Sequence, residues 1–248
     1  MSILRSILNS IFLELWTAFM VTLAVALSAL RGDFGVFRRM QRQWARGLVR
    51  FWGVRVAVHG AEHMDTSTSY VVVSNHLSWA DIVVLFLALP ITPGFLAKRE
   101  LLRVPFLAAA LRSGGHVIID RGKRSSAVQA LHKAAQEIRA GKTVLVFPEG
   151  TRGDSDTVGD FKKGGFHLAR DAKVPILPVG VRGSRSVFPR AGILIHPGAI
   201  EVHIGPPIPV PDIERLSVDA LVERTRAEVM ALSAMPAREG VEGSLPPR

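Results

Sequence analysis

Residues 70–90 read Tyr70-Val-Val-Val-Ser-Asn-His-Leu-Ser-Trp-Ala-Asp-Ile-Val-Val-Leu-Phe-Leu-Ala-Leu-Pro90. The β-branched run from Tyr70 to Ser74 is a short strand, and the apolar stretch from about Ser78 to Leu89 is a helix that ends before Pro90. The same alternation continues on both sides. Strands are expected at Arg55–His59, Phe95–Ala97, Val117–Ile119, Thr143–Phe147, Val174–Val181 and Ile200–Ile204. Helices are expected at Val104–Leu111, Ser125–Ala140, Lys163–Ala172 and, as one closing element, 213–234. Strands alternating with helices imply an α/β domain whose central sheet is largely parallel and flanked by helices. Ligands of such domains bind beyond the carboxyl ends of the strands.

Three strands end in polar clusters: Ser74-Asn75-His76, Asp120-Arg121, and Pro148-Glu149-Gly150-Thr151-Arg152. His76 and Asp81 are five residues apart, about 140° on a continuous helix, so they meet only if His76 precedes the helix and Asp81 sits in its first turn. Ser78 is a natural N-cap, which would put Asp81 at the third helical position. A histidine so placed can take a proton from an attacking hydroxyl while the carboxylate fixes its tautomer. The plainer reading is a capping box, Ser78-x-x-Asp81, with Asp in place of the usual Glu. On the pair alone both readings stand. The cationic groups at equivalent strand ends, Arg121 and Arg152, with Lys162-Lys163 opening a later helix, favour chemistry on a phosphate.

The chain has 248 residues, of which 48% are hydrophobic. That fits one domain and argues against disorder. A mean hydropathy of +0.26 is high for a soluble enzyme and suggests apolar surface that meets lipid. The net charge of +10 favours anionic partners: nucleic acid, anionic lipid or phosphorylated metabolites. There is no cysteine, which removes disulfides, thiolate metal ligands and a Cys nucleophile.

The charge is unevenly distributed. Ile11–Leu30 is almost wholly apolar and about long enough to cross a hydrocarbon core as a helix. A cleaved signal peptide and a buried core helix are the competing readings. Arg31, Arg38, Arg39, Arg42, Arg46 and Arg50 follow it, a block suited to the cytoplasmic side of a membrane. At helical spacing Arg38, Arg42, Arg46 and Arg50 share a face opposite Phe37, Trp44, Leu48 and Phe51. Such a helix lies either in the interface with its arginines on lipid phosphates or on the protein's own core. Gly47 weakens it by about 1 kcal/mol. The expected organisation is a membrane anchor over 1–52, one domain over 53–235, and a mobile tail over 236–248.

Four blocks now resemble the glycerolipid acyltransferase family typified by bacterial lysophosphatidate acyltransferase. They are Asn75-His-Leu-Ser-Trp-Ala-Asp81, Gly115-His-Val-Ile-Ile-Asp-Arg121, Phe147-Pro-Glu-Gly-Thr-Arg-Gly153 and Val174-Pro-Ile-Leu-Pro-Val179. Leu77 replaces a frequent Gln and Gly153 a frequent Ser. The resemblance implies that His76 is the general base and Asp81 its partner. It implies that Arg121, Glu149, Gly150, Thr151 and Arg152, with Lys162 and Lys163 nearby, hold the glycerol phosphate. The implied reaction transfers an acyl group from an acyl-CoA or acyl-carrier-protein thioester, a co-substrate rather than a cofactor, to the sn-2 hydroxyl of a lysophosphatidate acceptor. Another lysolipid acceptor, or a non-catalytic membrane-binding protein, is the alternative.

A thioester is already activated, and no Gly-x-Ser-x-Gly elbow is present, so direct transfer is expected, with backbone N–H groups at the helix start as candidate oxyanion donors. His59-x-x-x-His63 spans a strand end and a Gly turn, so no metal is expected. Gly141-Lys142-Thr143 lacks the upstream Gly of a P-loop. No nucleic-acid fold signature is visible.

Overall fold

The computed structural model describes residues 3–31, 35–103, 108, 110–111, 114, 116–119, 124–153, 157–190 and 194–234. Among the described residues seven strands form one sheet: β1 (Val54–His59), β2 (Val71–Ser74), β3 (Gly94–Lys98), β4 (Val117–Ile119), β5 (Val144–Val146), β6 (Ile176–Arg182) and β7 (Gly198–Ile204), in the order β1-β7-β6-β2-β5-β3-β4. Every pairing is parallel except β6–β7. The helices are α1 (Ile3–Arg31), α2 (Gly35–Trp52), α3 (Ala80–Ala88), α4 (Arg124–Arg139), α5 (Gly164–Ala172), α6 (Ser184–Val187), α7 (Val210–Arg215) and α8 (Val218–Ala234).

The sheet is covered on both faces. Val72, Leu145, Leu177 and Val179 pack with α2 and α3, whereas Val71, Val73, Val144, Val146 and Ile176 pack with α4, α5 and α8. This two-sided burial is why β2 is an unbroken run of valine rather than an alternating pattern.

Two expectations are revised, and one of two open readings is selected. The closing helix is two: Leu216 is extended, and the Ser217 hydroxyl accepts the Ala220 N–H at 3.1 Å to start α8 afresh. The helix after β2 starts at Ala80 rather than Ser78. The basic helix α2 lies on the protein's own core, burying Phe37, Ala45, Leu48, Val49 and Trp52. Its Arg42 does not reach outward. The guanidinium donates to the carbonyls of Phe86, Leu89 and Pro90, which end α3 and its following turn. Those are carbonyls a helix end leaves without partners, while Arg39 and Arg50 remain exposed. The expected helix over 104–111 lies largely outside the described residues, as does the expected mobile tail.

Helix α1 is antiparallel to α2. Phe12 stacks on Phe51, Trp16 donates from its indole to the Trp44 carbonyl at 3.0 Å, and Trp44 donates to the Thr17 hydroxyl at 2.9 Å. Gly47 explains itself here: a Cβ would lie 2.6 Å from the Trp16 indole. The stretch Ile7–Ser28 is long and apolar enough to cross a membrane, and Leu8, Ile11, Leu15 and Phe19 on it are exposed. It is therefore not a core helix.

Below the hairpin, the half-buried His116 joins α2 to the sheet edge. Its Nδ1 accepts the Phe95 N–H at 3.2 Å, so Nε2 carries the proton. Nε2 lies 3.0 Å from the Gln41 amide nitrogen; turning the amide over would bring its oxygen, which has no donor as placed, to the ring N–H. Burial lowers the His116 pKa to about 3, so this link is neutral.

Candidate active site

The site forms where β2 and its parallel neighbour β5 leave the sheet. β2 ends at Ser74, but the Asn75 side chain continues the ladder. Its amide donates to the Val181 carbonyl and its oxygen accepts the Val181 N–H, both at 2.8 Å. This buried mimic of a backbone rung fixes where the chain departs toward His76.

His76 Nδ1 lies 2.9 Å from Asp81 Oδ2. The same oxygen accepts the N–H groups of Leu77 at 2.7 Å and Ser78 at 2.8 Å. Asp81 is fully buried and His76 is 13% exposed. An acceptor carboxylate on Nδ1 places the ring proton there and leaves the Nε2 lone pair for an incoming proton. Ser78 caps in part: its hydroxyl accepts the Ala80 N–H at 3.0 Å and donates to the Phe188 carbonyl at 2.7 Å. Helix cap and His–Asp pair are therefore one structure. The N–H groups of Leu77, Ser78, Ala80 and Asp81 are all engaged within this turn, the last to the Ser78 carbonyl. The expectation that they serve as oxyanion donors is set aside for these four, because each already has an acceptor.

The loop after β5 clasps His76. Glu149 accepts the His76 N–H at 2.8 Å and the Gly159 N–H at 3.2 Å. The Gly153 N–H donates to the His76 carbonyl at 2.8 Å. The His76 ring stacks on Phe147 with centroids 4.0 Å apart. Gly150, at φ 79°, occupies the left-handed region that the tight turn after Phe147 requires. Burial pushes the Glu149 carboxyl up, against the bonds from His76 and Gly159. Both Glu149 oxygens are thus taken by the backbone, a placement that braces the base.

Arg152 is half-buried and lies over the Trp79 ring at 5.1 Å from its centroid. It donates to the Arg190 carbonyl at 3.4 Å. Burial lowers its pKa first, the charge of Arg190 adds to that, and Asp81 opposes both. Two guanidiniums within electrostatic reach of one another, beside the base, make a site for a polyanion. Arg190 carries no motif and was not found from sequence; only the fold brings the loop after α6 beside Arg152.

Thr151 is exposed on the same loop. Lys162 is exposed, and its backbone N–H donates to the Pro148 carbonyl at 3.0 Å. Lys163 turns to Asp219 of α8 at 2.5 Å, an exposed pair, rather than toward Arg152. Arg121 and Asp120 lie outside the described residues.

A family model described as Acyltransferase matches residues 55–182, the span that carries His76, Asp81, Glu149 and Arg152. The chain is similar to 1-acyl-sn-glycerol-3-phosphate acyltransferase alpha of Bos taurus, with 33% identity over 218 residues, covering 88% of this chain and 76% of that one. It is also similar to 1-acyl-sn-glycerol-3-phosphate acyltransferase of Saccharomyces cerevisiae, with 34% identity over 182 residues, covering 72% of this chain and 59% of that one. Among solved structures, the 1-acyl-sn-glycerophosphate (LPA) acyltransferase PlsC from Thermotoga maritima superposes with a TM-score of 0.77 at 25% identity, covering 95% of this chain and 99% of that one.

Proposed function

The chain belongs to the acyltransferase family, and from that premise we propose that it transfers a fatty acyl group from a thioester to the sn-2 hydroxyl of 1-acyl-glycerol-3-phosphate, giving phosphatidic acid for phospholipid biosynthesis. The observation that carries the proposal is the His76–Asp81 bond at 2.9 Å within a turn whose backbone is clamped by Glu149 and Gly153. His76 Nε2 takes the acceptor hydroxyl proton as the oxygen attacks the thioester carbonyl. The tetrahedral intermediate collapses with cleavage of the C–S bond, and the departing thiolate takes the proton back from the imidazolium. Asp81 holds the ring and stabilises its charged form.

Arg152, steadied on Trp79, and Arg190 hold the acceptor phosphate. Arg121 is a further phosphate ligand by family resemblance. Glu149 acts as a positioning residue, and Gly150 allows the turn that carries it. Thr151 and Lys162 contribute at the rim, and Lys163 contributes less because of Asp219. The donor is carried on coenzyme A or on acyl carrier protein. The apolar outer side of α1 associates with the bilayer, where acceptor and product reside, and the arginines after it favour the cytoplasmic face.

The test is mass spectrometry of products from purified protein offered lysophosphatidate and lysolipids with larger head groups, each with both thioesters. Phosphatidic acid as the main product is expected. A preference for a larger head group would move the assignment to another lysolipid, and no transfer to any acceptor would overturn it.

A further inference from the structure

The outer strand of the sheet carries a second cluster of chemical groups, away from the strand ends that form the active site. Side chains alternate along β1 and β7: Val54, Val56, Ile200 and Val202 enter the core with α2 and α3, so Arg55, Ala57, His59, Glu201 and His203 take the other face. The parallel register puts His59 directly beside His203, and Glu201 lies two residues before it on the same face. The rings of His59 and His203 are stacked, 4.6 Å between centroids, and His203 Nε2 is 3.2 Å from Glu201 Oε2. One donor atom from each of the three lies within 4.8 Å of the others. His203 is buried, and His59 and Glu201 are half-buried.

We propose that His59, Glu201 and His203 form a binding site for a divalent transition metal of the zinc class, which staples the outer strand β1 to β7. The donor set is the imidazole and carboxylate mixture such ions take. Tetrahedral zinc with bonds of about 2.0–2.2 Å spaces neighbouring donors by roughly 3.3–3.5 Å, close to the His203–Glu201 separation. The third donor closes in by a turn of the His59 ring out of the stack, and water completes the shell.

The surroundings bear on the charge of the site. Gly180 of β6, the partner of His203 in register, packs so closely on the last turn of α8 that a Cβ would lie 2.4 Å from the Ser233 nitrogen. The last turn of α8 therefore lies on the same face of the sheet as the cluster. Arg182, the partner of Glu201 in register, is a positive group close enough to act on His203 and opposes a cation here. His63 does not belong to the set: its Nδ1 lies 2.8 Å from the Ile204 carbonyl.

The experiment uses the full chain in detergent, stripped with chelator and free of any polyhistidine tag. Zinc is titrated by calorimetry and by thermal unfolding, and cobalt replaces it for absorption spectroscopy. One zinc per chain, a rise in melting temperature that saturates at that ratio, and visible cobalt bands are expected. Loss of an outer partner of a metal ligand already costs about 10–100-fold in affinity, so His59→Ala and the near-isosteric Glu201→Gln should each weaken zinc by at least that factor. His132→Ala, at an exposed histidine of α4, should leave it unchanged. Substoichiometric binding, or equal affinity in His59→Ala and the parent chain, would overturn the site. None of these readouts involves acyl transfer, so the result stands apart from the catalytic assignment.

Discussion

Asp81 gives one carboxylate oxygen, Oδ2, to three donors at once: the His76 ring at 2.9 Å and the N–H groups of Leu77 and Ser78. The residue that orients the base therefore also closes the turn that presents it.

That double duty separates two variants. His76→Ala should lower turnover by about 10²–10⁴-fold, the usual cost of losing a general base, with little change in melting temperature. Asp81→Ala should lose activity and also stability, because it leaves buried backbone donors without an acceptor at about 1–3 kcal/mol each. Turnover assays and denaturant unfolding of both proteins check this; near-normal turnover by His76→Ala would sink the mechanism.

Arg152→Ala should raise the KM for lysophosphatidate with a smaller effect on kcat. A charge-assisted hydrogen bond contributes about 1.5–3 kcal/mol, or roughly ten- to a hundredfold. Arg190→Ala should act in the same direction, and Trp79→Ala more weakly, with Trp79→Phe close to the parent. Steady-state kinetics at saturating thioester measure the split. An unchanged KM in both arginine variants would remove the phosphate from this place.

Acid should destabilise the fold through His116. Its folded pKa is lowered by burial to about 3, from an ordinary 6.5. The unfolded chain therefore binds the proton more readily, and stability is lost as pH falls below about 6.5 toward 3. The slope from this group is about 1.4 kcal/mol per pH unit within that window. Denaturant unfolding at pH 7 and pH 5 should show a loss in the parent that is smaller in His116→Gln. Equal losses would show that His116 is not the acid-sensitive group.

Gly47→Ala should raise helix propensity yet loosen the α1–α2 hairpin, since the added carbon meets the Trp16 indole. Limited proteolysis should cut between α1 and the body faster, while the core still unfolds cooperatively. Unchanged cleavage would show that the indole moves aside without consequence.

The sequence made the β2–α3 junction readable because a valine run, a cap residue and an apolar helix are local signals, and each acts within a few residues. Helix geometry showed only the condition under which His76 and Asp81 could meet, and on the pair alone a capping box stayed open. Arg190 was invisible because its proximity to Arg152 comes from a loop meeting across the strand ends. The partner of Lys163 was hidden for the same reason: Asp219 belongs to a helix more than fifty residues on. Arg42 had the spacing of a lipid-facing arginine, and periodicity cannot tell that the end of α3 waits opposite it. The single closing helix divided at Ser217, whose capping role was written locally but obscured by apolar residues on both sides.

The clasp between His76 and the loop after β5 has a metrical consequence. Gly153 bonds the backbone of the base, and its neighbour Arg152 is the proposed phosphate ligand. If Arg152 holds the phosphate, the span from phosphate to base runs through one peptide link and the Arg152 side chain lying over Trp79. Such a span would work as a ruler, favouring a hydroxyl one carbon removed from the phosphate-bearing carbon over alcohols spaced farther along a longer head group. Selectivity for the position acylated would on this account be written in main-chain length, and an inserted residue between Arg152 and Gly153 would recalibrate it.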